Sequence, residues 1–142
     1  MPSKMRVLFL CTGNSARSQM AEGLLRHMAG DQFDVFSAGT HPKGLHPRSV
    51  EVMKEHGIDI SKQTSKDVSI FLNERFAYVI TVCDRAKQRC PVFPGAEAIH
   101  WGFDDPAEAP AEHQLQVFLT VRDEIRHRLN LFLLANRTAA AE

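Results

Sequence analysis

The 142-residue chain has no run of about 18 apolar residues, the length a membrane-spanning helix needs. Its N-terminus lacks the apolar core of a signal peptide, so the expected location is cytoplasmic, with no membrane partner. It also lacks net charge. Lysine plus arginine number 17 and aspartate plus glutamate number 17, leaving no positive field to bind nucleic acid or an anionic membrane. No internal repeat is present, and the only low-complexity stretch is the alanine-rich tail from Thr138, expected to fray. The seven histidines show neither the H-x-x-x-H spacing nor the pairing with cysteine of a metal site, so no metal is expected. Cysteine is scarce: Cys11, Cys83 and Cys90 are too few, and odd in number, for a structural disulfide framework.

Against these absences, one stretch is dense in chemistry. Cys11-Thr-Gly-Asn-Ser-Ala-Arg17-Ser18 sits between the apolar run 5–10 and the helical pattern that follows. A strand, a short loop of small polar residues and a helix bring backbone N–H groups together on an oxyanion. Here the loop begins with a nucleophile and holds a guanidinium six positions later. The loop set Thr12, Gly13, Asn14, Ser15, Ala16, Arg17 and Ser18 is therefore the candidate oxyanion cradle.

The rest of the chain alternates strands and helices. Strands are expected over 5–10, 33–37, 77–82 and 98–101, and helices over about 16–29, from Pro47 to Gly57, near 68–72, and from about 111 to 135. In the last helix Leu115, Phe118, Val121, Ile125, Leu129 and Phe132 repeat at three and four. The pattern predicts a single α/β domain, residues 1–142, with a four-stranded parallel sheet and helices on both faces. Ligands in such sheets bind beyond the carboxyl ends of the strands, at the point where the strand order reverses. Cys11 ends the first strand, Cys83 follows a later one and Asp105 lies beyond the last, so all three belong to one sheet edge.

Cys11 is expected to be an activated nucleophile, its thiol acidified by Arg17, the loop amides and the helix N-terminus. Asp105, directly before Pro106, is the candidate general acid for the leaving oxygen, and otherwise a loop or helix-capping residue. Cys83 and Cys90 are seven positions apart. An intact helix over 84–89 would hold them about 10 Å apart along its axis, beyond the roughly 7 Å Cα separation that a disulfide spans. That segment is short, polar and closed by Pro91, hence marginal as a helix and able to unwind.

These motifs, together with Gln19-Met-Ala-Glu-Gly23, Ser37-Ala-Gly39, Gly57-Ile-Asp-Ile-Ser61, Val82-Cys-Asp84, Cys90-Pro91 and Trp101-Gly-Phe-Asp-Asp-Pro-Ala107, closely resemble thioredoxin-coupled arsenate reductases of the low-molecular-weight tyrosine phosphatase fold. The resemblance spans Arg6 to about Leu134. It implies that Cys11 attacks arsenate, that Arg17 and the loop amides bind the oxyanion, and that Asp105 is the general acid. Cys83 would then attack the Cys11 adduct and release arsenite. Cys90 would resolve the Cys11–Cys83 disulfide, and the Cys83–Cys90 disulfide would pass to thioredoxin. No tightly bound cofactor is implied, only an external thiol reductant, thioredoxin or a glutathione–glutaredoxin system. Arsenic detoxification is the implied role, and the absence of a surplus apolar stripe suggests a monomer.

Some members of that family hold a monovalent cation at positions matching Asn14, Glu22, Ser37 and Lys66, with aspartate at the last. An ammonium at Lys66, paired with Glu22, is expected to take the place of that ion. Two other readings remain open at this point. One is a low-molecular-weight protein tyrosine phosphatase, which leaves Cys83 and Cys90 without a role. The other is a non-enzymatic oxyanion or redox sensor. Weak phosphatase side activity is expected of the reductase, because its site would bind any tetrahedral oxyanion.

Overall fold

The computed structural model describes residues 4–83 and 90–141, with side chains through Asn136. Four strands, β1 (Met5–Cys11), β2 (Phe33–Gly39), β3 (Tyr78–Thr81) and β4 (Glu97–His100), form one sheet of order β2-β1-β3-β4. Every pair is parallel. β1 is bonded along its whole length to β2, from Met5 opposite Phe33 to Cys11 opposite Gly39, and on its other side to β3. Its residues Val7, Leu8, Phe9 and Leu10 have no exposure, as an unbroken apolar run in a central strand should.

Three α-helices pack together: α1 (Arg17–Ala29), α2 (Pro47–Glu55) and α3 (Gln114–Ala141). Side-chain alternation along the strands separates two layers. Phe33 of β2 meets Phe132 of α3 with ring centroids 5.7 Å apart, and Trp101 bridges Phe9 of β1 to the same Phe132. Phe36, on the opposite face of β2, meets Phe71 and Phe76 at 5.6 and 5.9 Å, under a short 3-10 helix, Val68–Phe71. Helical segments thus cover both faces, α-helices on one and a 3-10 turn with an aromatic cluster on the other.

The element ends depart from expectation in instructive ways. β2 continues through Ala38 to Gly39, because each residue has a partner on β1. α3 begins at Gln114, after a turn at 111–113, and leaves Leu115 38% exposed, so the buried stripe starts one step later, at Phe118. It also runs on to Ala141, past both the expected stop near Ala135 and the start of the alanine-rich tail, where nothing in the sequence breaks a helix. α2 follows the prediction closely. His46 caps it by accepting from the Arg48 N–H at 3.0 Å, Pro47 is its first residue, and Gly57 takes the left-handed conformation, φ +82, that ends it. Val52 and Met53 are buried there, Val50 only partly. The segment 84–89, expected to be a marginal helix, lies outside the described residues.

The chain leaves β1 on one side to build β2 and returns on the other to build β3. The strand order therefore reverses beside the C-terminal end of β1, where residues 11–16 sit.

Candidate active site

The loop after β1 is held from outside by its carbonyls. Those of Cys11, Thr12, Gly13 and Ser15 accept from the N–H groups of Thr40, His41, Lys43 and His46, at 2.8 to 3.3 Å. The hydroxyls of Ser49 and Ser65 also donate, to the carbonyls of Ser15 and Gly13. With its carbonyls turned outward, the loop aims amides inward: the Asn14 N–H lies 3.2 Å from the Cys11 sulfur. α1 starts at Arg17 with Ala16 as its N-cap, a residue that offers no side-chain acceptor. The first-turn N–H groups are thus left for another acceptor.

Asn14 is the keystone of this loop. It is fully buried and adopts φ +44, a region that asparagine tolerates better than most residues. Its amide nitrogen donates to Ser18 at 2.8 Å and to Ser37 at 2.9 Å, and its amide oxygen accepts from the Lys66 N–H and from Gln19. Because Ser18 accepts from Asn14, its own hydroxyl proton is left for the Cys11 sulfur, 2.8 Å away. Beyond Asn14, Ser37 donates to Glu22 at 2.6 Å. Glu22 is a buried carboxylate that pairs with Arg26 at 2.8 Å and lies 3.9 Å from the Lys66 ammonium. Lys66 bonds the Thr64 carbonyl more closely, at 2.5 Å, and burial depresses its ammonium below the ordinary lysine range, with Glu22 opposing. The expected cluster Asn14, Glu22, Ser37 and Lys66 therefore exists in space, and a single hydrogen-bonded path joins it to Cys11.

The backbone leaves no room to loosen this arrangement. A Cβ at Gly39, the last residue of β2, would stand 2.5 Å from the Thr12 carbonyl oxygen and 3.0 Å from the Asn14 N–H nitrogen. Only glycine lets the strand end close on the loop.

A pocket of about 520 Å³ opens above Cys11. Cys11 and Arg17 line it, as do Cys83, Asp104 and Asp105. The Cys83 sulfur lies 3.3 Å from the Thr12 hydroxyl, so Cys83 and the Cys11 loop, 72 positions apart, form one wall. Arg17 reaches across to the segment after β4, donating to the Phe103 carbonyl at 3.0 Å and approaching Asp105 at 3.5 Å. Asp105 serves two ends. One oxygen caps the second 3-10 helix, Pro106–Glu108, through the Ala107 N–H at 3.0 Å, and the other faces Arg17. Both readings of this aspartate from sequence, capping residue and site residue, describe the same side chain.

Cys90 stands apart. It is half-buried, donates to the Pro91 carbonyl at 3.3 Å and does not line the pocket. All three cysteines are free thiols. Burial pushes the Cys90 thiol up. Burial also pushes the Cys11 thiol up, and the opposing pull of Ser18 and the Arg17 charge does not overcome it. This direction runs against the expected acidified Cys11: complete removal from water outweighs one guanidinium and the local hydrogen bonds.

Sequence reasoning missed Gln19 and Lys43. Gln19 is buried and donates to the Asn14 and Thr64 carbonyls, stitching the loop to residues 63–66. Lys43 lines the pocket. A polar residue on the inward stripe of α1 was the available signal for Gln19. For Lys43 there was none, since only the folded loop brings it to Gly13. Among the described residues no cluster of histidine, cysteine, aspartate or glutamate fits a metal ion, and no helix is long and apolar enough to cross a membrane.

Three comparisons place these features among known proteins. A family model described as low molecular weight phosphotyrosine protein phosphatase matches residues 6–141. An arsenate reductase of Halalkalibacterium halodurans is 48% identical over 133 residues, covering 92% of this chain and 96% of that protein. A solved arsenate reductase in the phosphate binding state matches with a TM-score of 0.77 and 32% identity, over 92% of this chain and 98% of the other. A thioredoxin-dependent arsenate reductase of Corynebacterium glutamicum matches with a TM-score of 0.71 and 30% identity, over 95% of this chain and 65% of its own.

Proposed function

The chain belongs to the low molecular weight phosphotyrosine protein phosphatase family, and within it we propose that it is an arsenate reductase working through three cysteines. The observation that carries this reading is the seat of Cys83. A phosphatase needs Cys11, Arg17 and an acid; it has no use for a second thiol at the rim of the same pocket, 3.3 Å from the Thr12 hydroxyl.

The loop amides from Thr12 to Ser18 and the Arg17 guanidinium receive the tetrahedral arsenate oxygens. Oxyanion binding draws the Arg17 charge and the α1 N-terminus onto the reacting centre. The Ser18 hydroxyl, already aimed at the sulfur, stabilises Cys11 as thiolate while it attacks arsenic. A sulfur–arsenic bond forms and an arsenic–oxygen bond breaks. Asp105 protonates the departing oxygen, which leaves as water.

Cys83 then attacks the Cys11 sulfur. The sulfur–arsenic bond breaks, its electron pair stays on arsenic, arsenate becomes arsenite, and the two thiols become a Cys11–Cys83 disulfide. Cys90 attacks Cys83, which frees Cys11 as a thiol and leaves a Cys83–Cys90 disulfide. A dithiol reductant of the thioredoxin class restores both thiols, so one dithiol is oxidised per arsenate reduced. The Lys66 ammonium, beside Glu22, supplies the positive charge that a bound monovalent cation provides in some relatives. The same cradle and acid also support slow hydrolysis of aryl phosphates.

The test is arsenate-dependent NADPH oxidation coupled through thioredoxin and thioredoxin reductase. Cys11→Ser and Cys83→Ser should show no turnover. Cys90→Ser should release about one equivalent of arsenite per chain and then stop. Sustained turnover in Cys90→Ser would remove the three-cysteine relay.

A further inference from the structure

Among the described residues, two cations line the pocket over Cys11, Arg17 and Lys43, together with three carboxylates: Asp104, Asp105 and Glu108. Arg17 is already engaged by the Phe103 carbonyl and Asp105. Lys43 is not: among the described residues its ammonium makes no hydrogen bond or ion pair. Its root, by contrast, is fixed. The Lys43 N–H donates to the Gly13 carbonyl at 2.9 Å. Its stem lies over the loop, with Cδ and Cγ at 3.4 and 3.6 Å from where a Gly13 Cβ would stand. The carboxylates all come from residues 104–108, after β4, whereas Lys43 comes from the segment between β2 and α2. Lys43 is thus a cation anchored at its base whose ammonium no described group engages.

We propose that Lys43 is a second oxyanion-binding residue, one that sets the affinity for free, multiply charged tetrahedral anions. A phosphate-like anion carries between about one and two negative charges near neutral pH. Among the described residues, the other cation that could receive it, Arg17, is already partly engaged by the Phe103 carbonyl and Asp105, and three carboxylates line the same pocket. With Lys43 it gains a mobile point charge that reaches an outer oxygen while the loop and Arg17 hold the inner ones. Because the ammonium is exposed, salt screens it, and the contribution appears in binding and its ionic-strength dependence rather than in the chemical step. The proposal rests on the oxyanion-binding reading above, but not on reduction itself.

Two readouts test it. In coupled arsenate turnover at low salt, Lys43→Ala should raise KM about tenfold and leave kcat within about twofold. Lys43→Glu should raise KM about a hundredfold, and Lys43→Arg should stay within about threefold of wild type. The gap between wild type and Lys43→Ala should shrink at about 0.5 M salt. Independently of turnover, inorganic phosphate should protect Cys11 from iodoacetamide, with a midpoint about tenfold higher in Lys43→Ala. An unchanged midpoint and KM in Lys43→Ala would overturn the proposal. So would equal loss of kcat in the Ala and Arg variants, which marks a structural defect in the loop. If wild type fails to reduce arsenate but the phosphate midpoint shifts as stated, Lys43 keeps its role and the reductase reading falls.

Discussion

Cys11 and Cys90 sit in opposite kinds of surroundings. Around Cys11, a strand, a helix N-terminus and two loops converge, and Asn14 alone makes four side-chain hydrogen bonds there. Around Cys90, among the described residues, the sulfur donates to one backbone carbonyl, that of Pro91, and Val92, two positions on, is 87% exposed. The contrast follows the division of labour. Binding a tetrahedral anion and attacking its centre requires fixed geometry. Handing electrons to another protein requires a thiol that can travel and be reached.

The widest gap between the two regions should come from breaking the anion cradle. Arg17→Ala should lower kcat/KM for arsenate by about 10³-fold, read in the coupled assay, because it removes the one guanidinium that lines the pocket among the described residues. A loss under about tenfold would mean that the loop amides carry capture alone. Asn14→Ala should cost about 2–4 kcal/mol of stability, since buried partners lose their hydrogen bonds and alanine is strained at φ +44. Urea unfolding would read this as a lower midpoint at unchanged slope. A midpoint within error of wild type would show that the loop is not the rigid half of the comparison.

Much of this site was legible before folding. The Cys11 loop, the shared sheet edge and the Asp-Pro pair follow from pattern and topology, because strand ends determine what meets at the switch point. Less legible were quantities that depend on balance. The direction of the Cys11 thiol turned on how completely burial excludes water, and no motif encodes that. The late start of α3 turned on a three-residue turn at 111–113, which propensity alone does not separate from a first helical turn. Lys43 reached the pocket through its loop's hydrogen bonds with Gly13, a tertiary fact.

The pH response sharpens the comparison further. Burial raises both the Cys11 and Cys90 thiols, so each stays protonated at neutral pH and gains thiolate as pH rises. Iodoacetamide labelling of the reduced, ligand-free protein, followed by mass spectrometry, should therefore accelerate about tenfold per pH unit from pH 7 toward 8.5 at both sites. The more accessible Cys90 should react first throughout. A Cys11 rate already flat at pH 7 would indicate a thiolate before any oxyanion is added. The smallest expected effect concerns potassium. On the proposed role of Lys66, whose ammonium lies 3.9 Å from Glu22, replacing sodium by potassium at equal ionic strength should change turnover by less than about twofold in wild type. A marked stimulation would remove Lys66 from that role.

The path from Lys66 and Arg26 through Glu22, Ser37, Asn14 and Ser18 ends on the reactive sulfur. Only the last of these side chains touches the thiol. Reactivity should therefore respond to a side chain that does not meet substrate: a charge exchanged at position 66, whose backbone N–H already holds Asn14, would alter how firmly Glu22 and Ser37 are held, while the atoms of the cradle stay the same. A lineage could retune its chemistry from that far end and keep the cradle untouched.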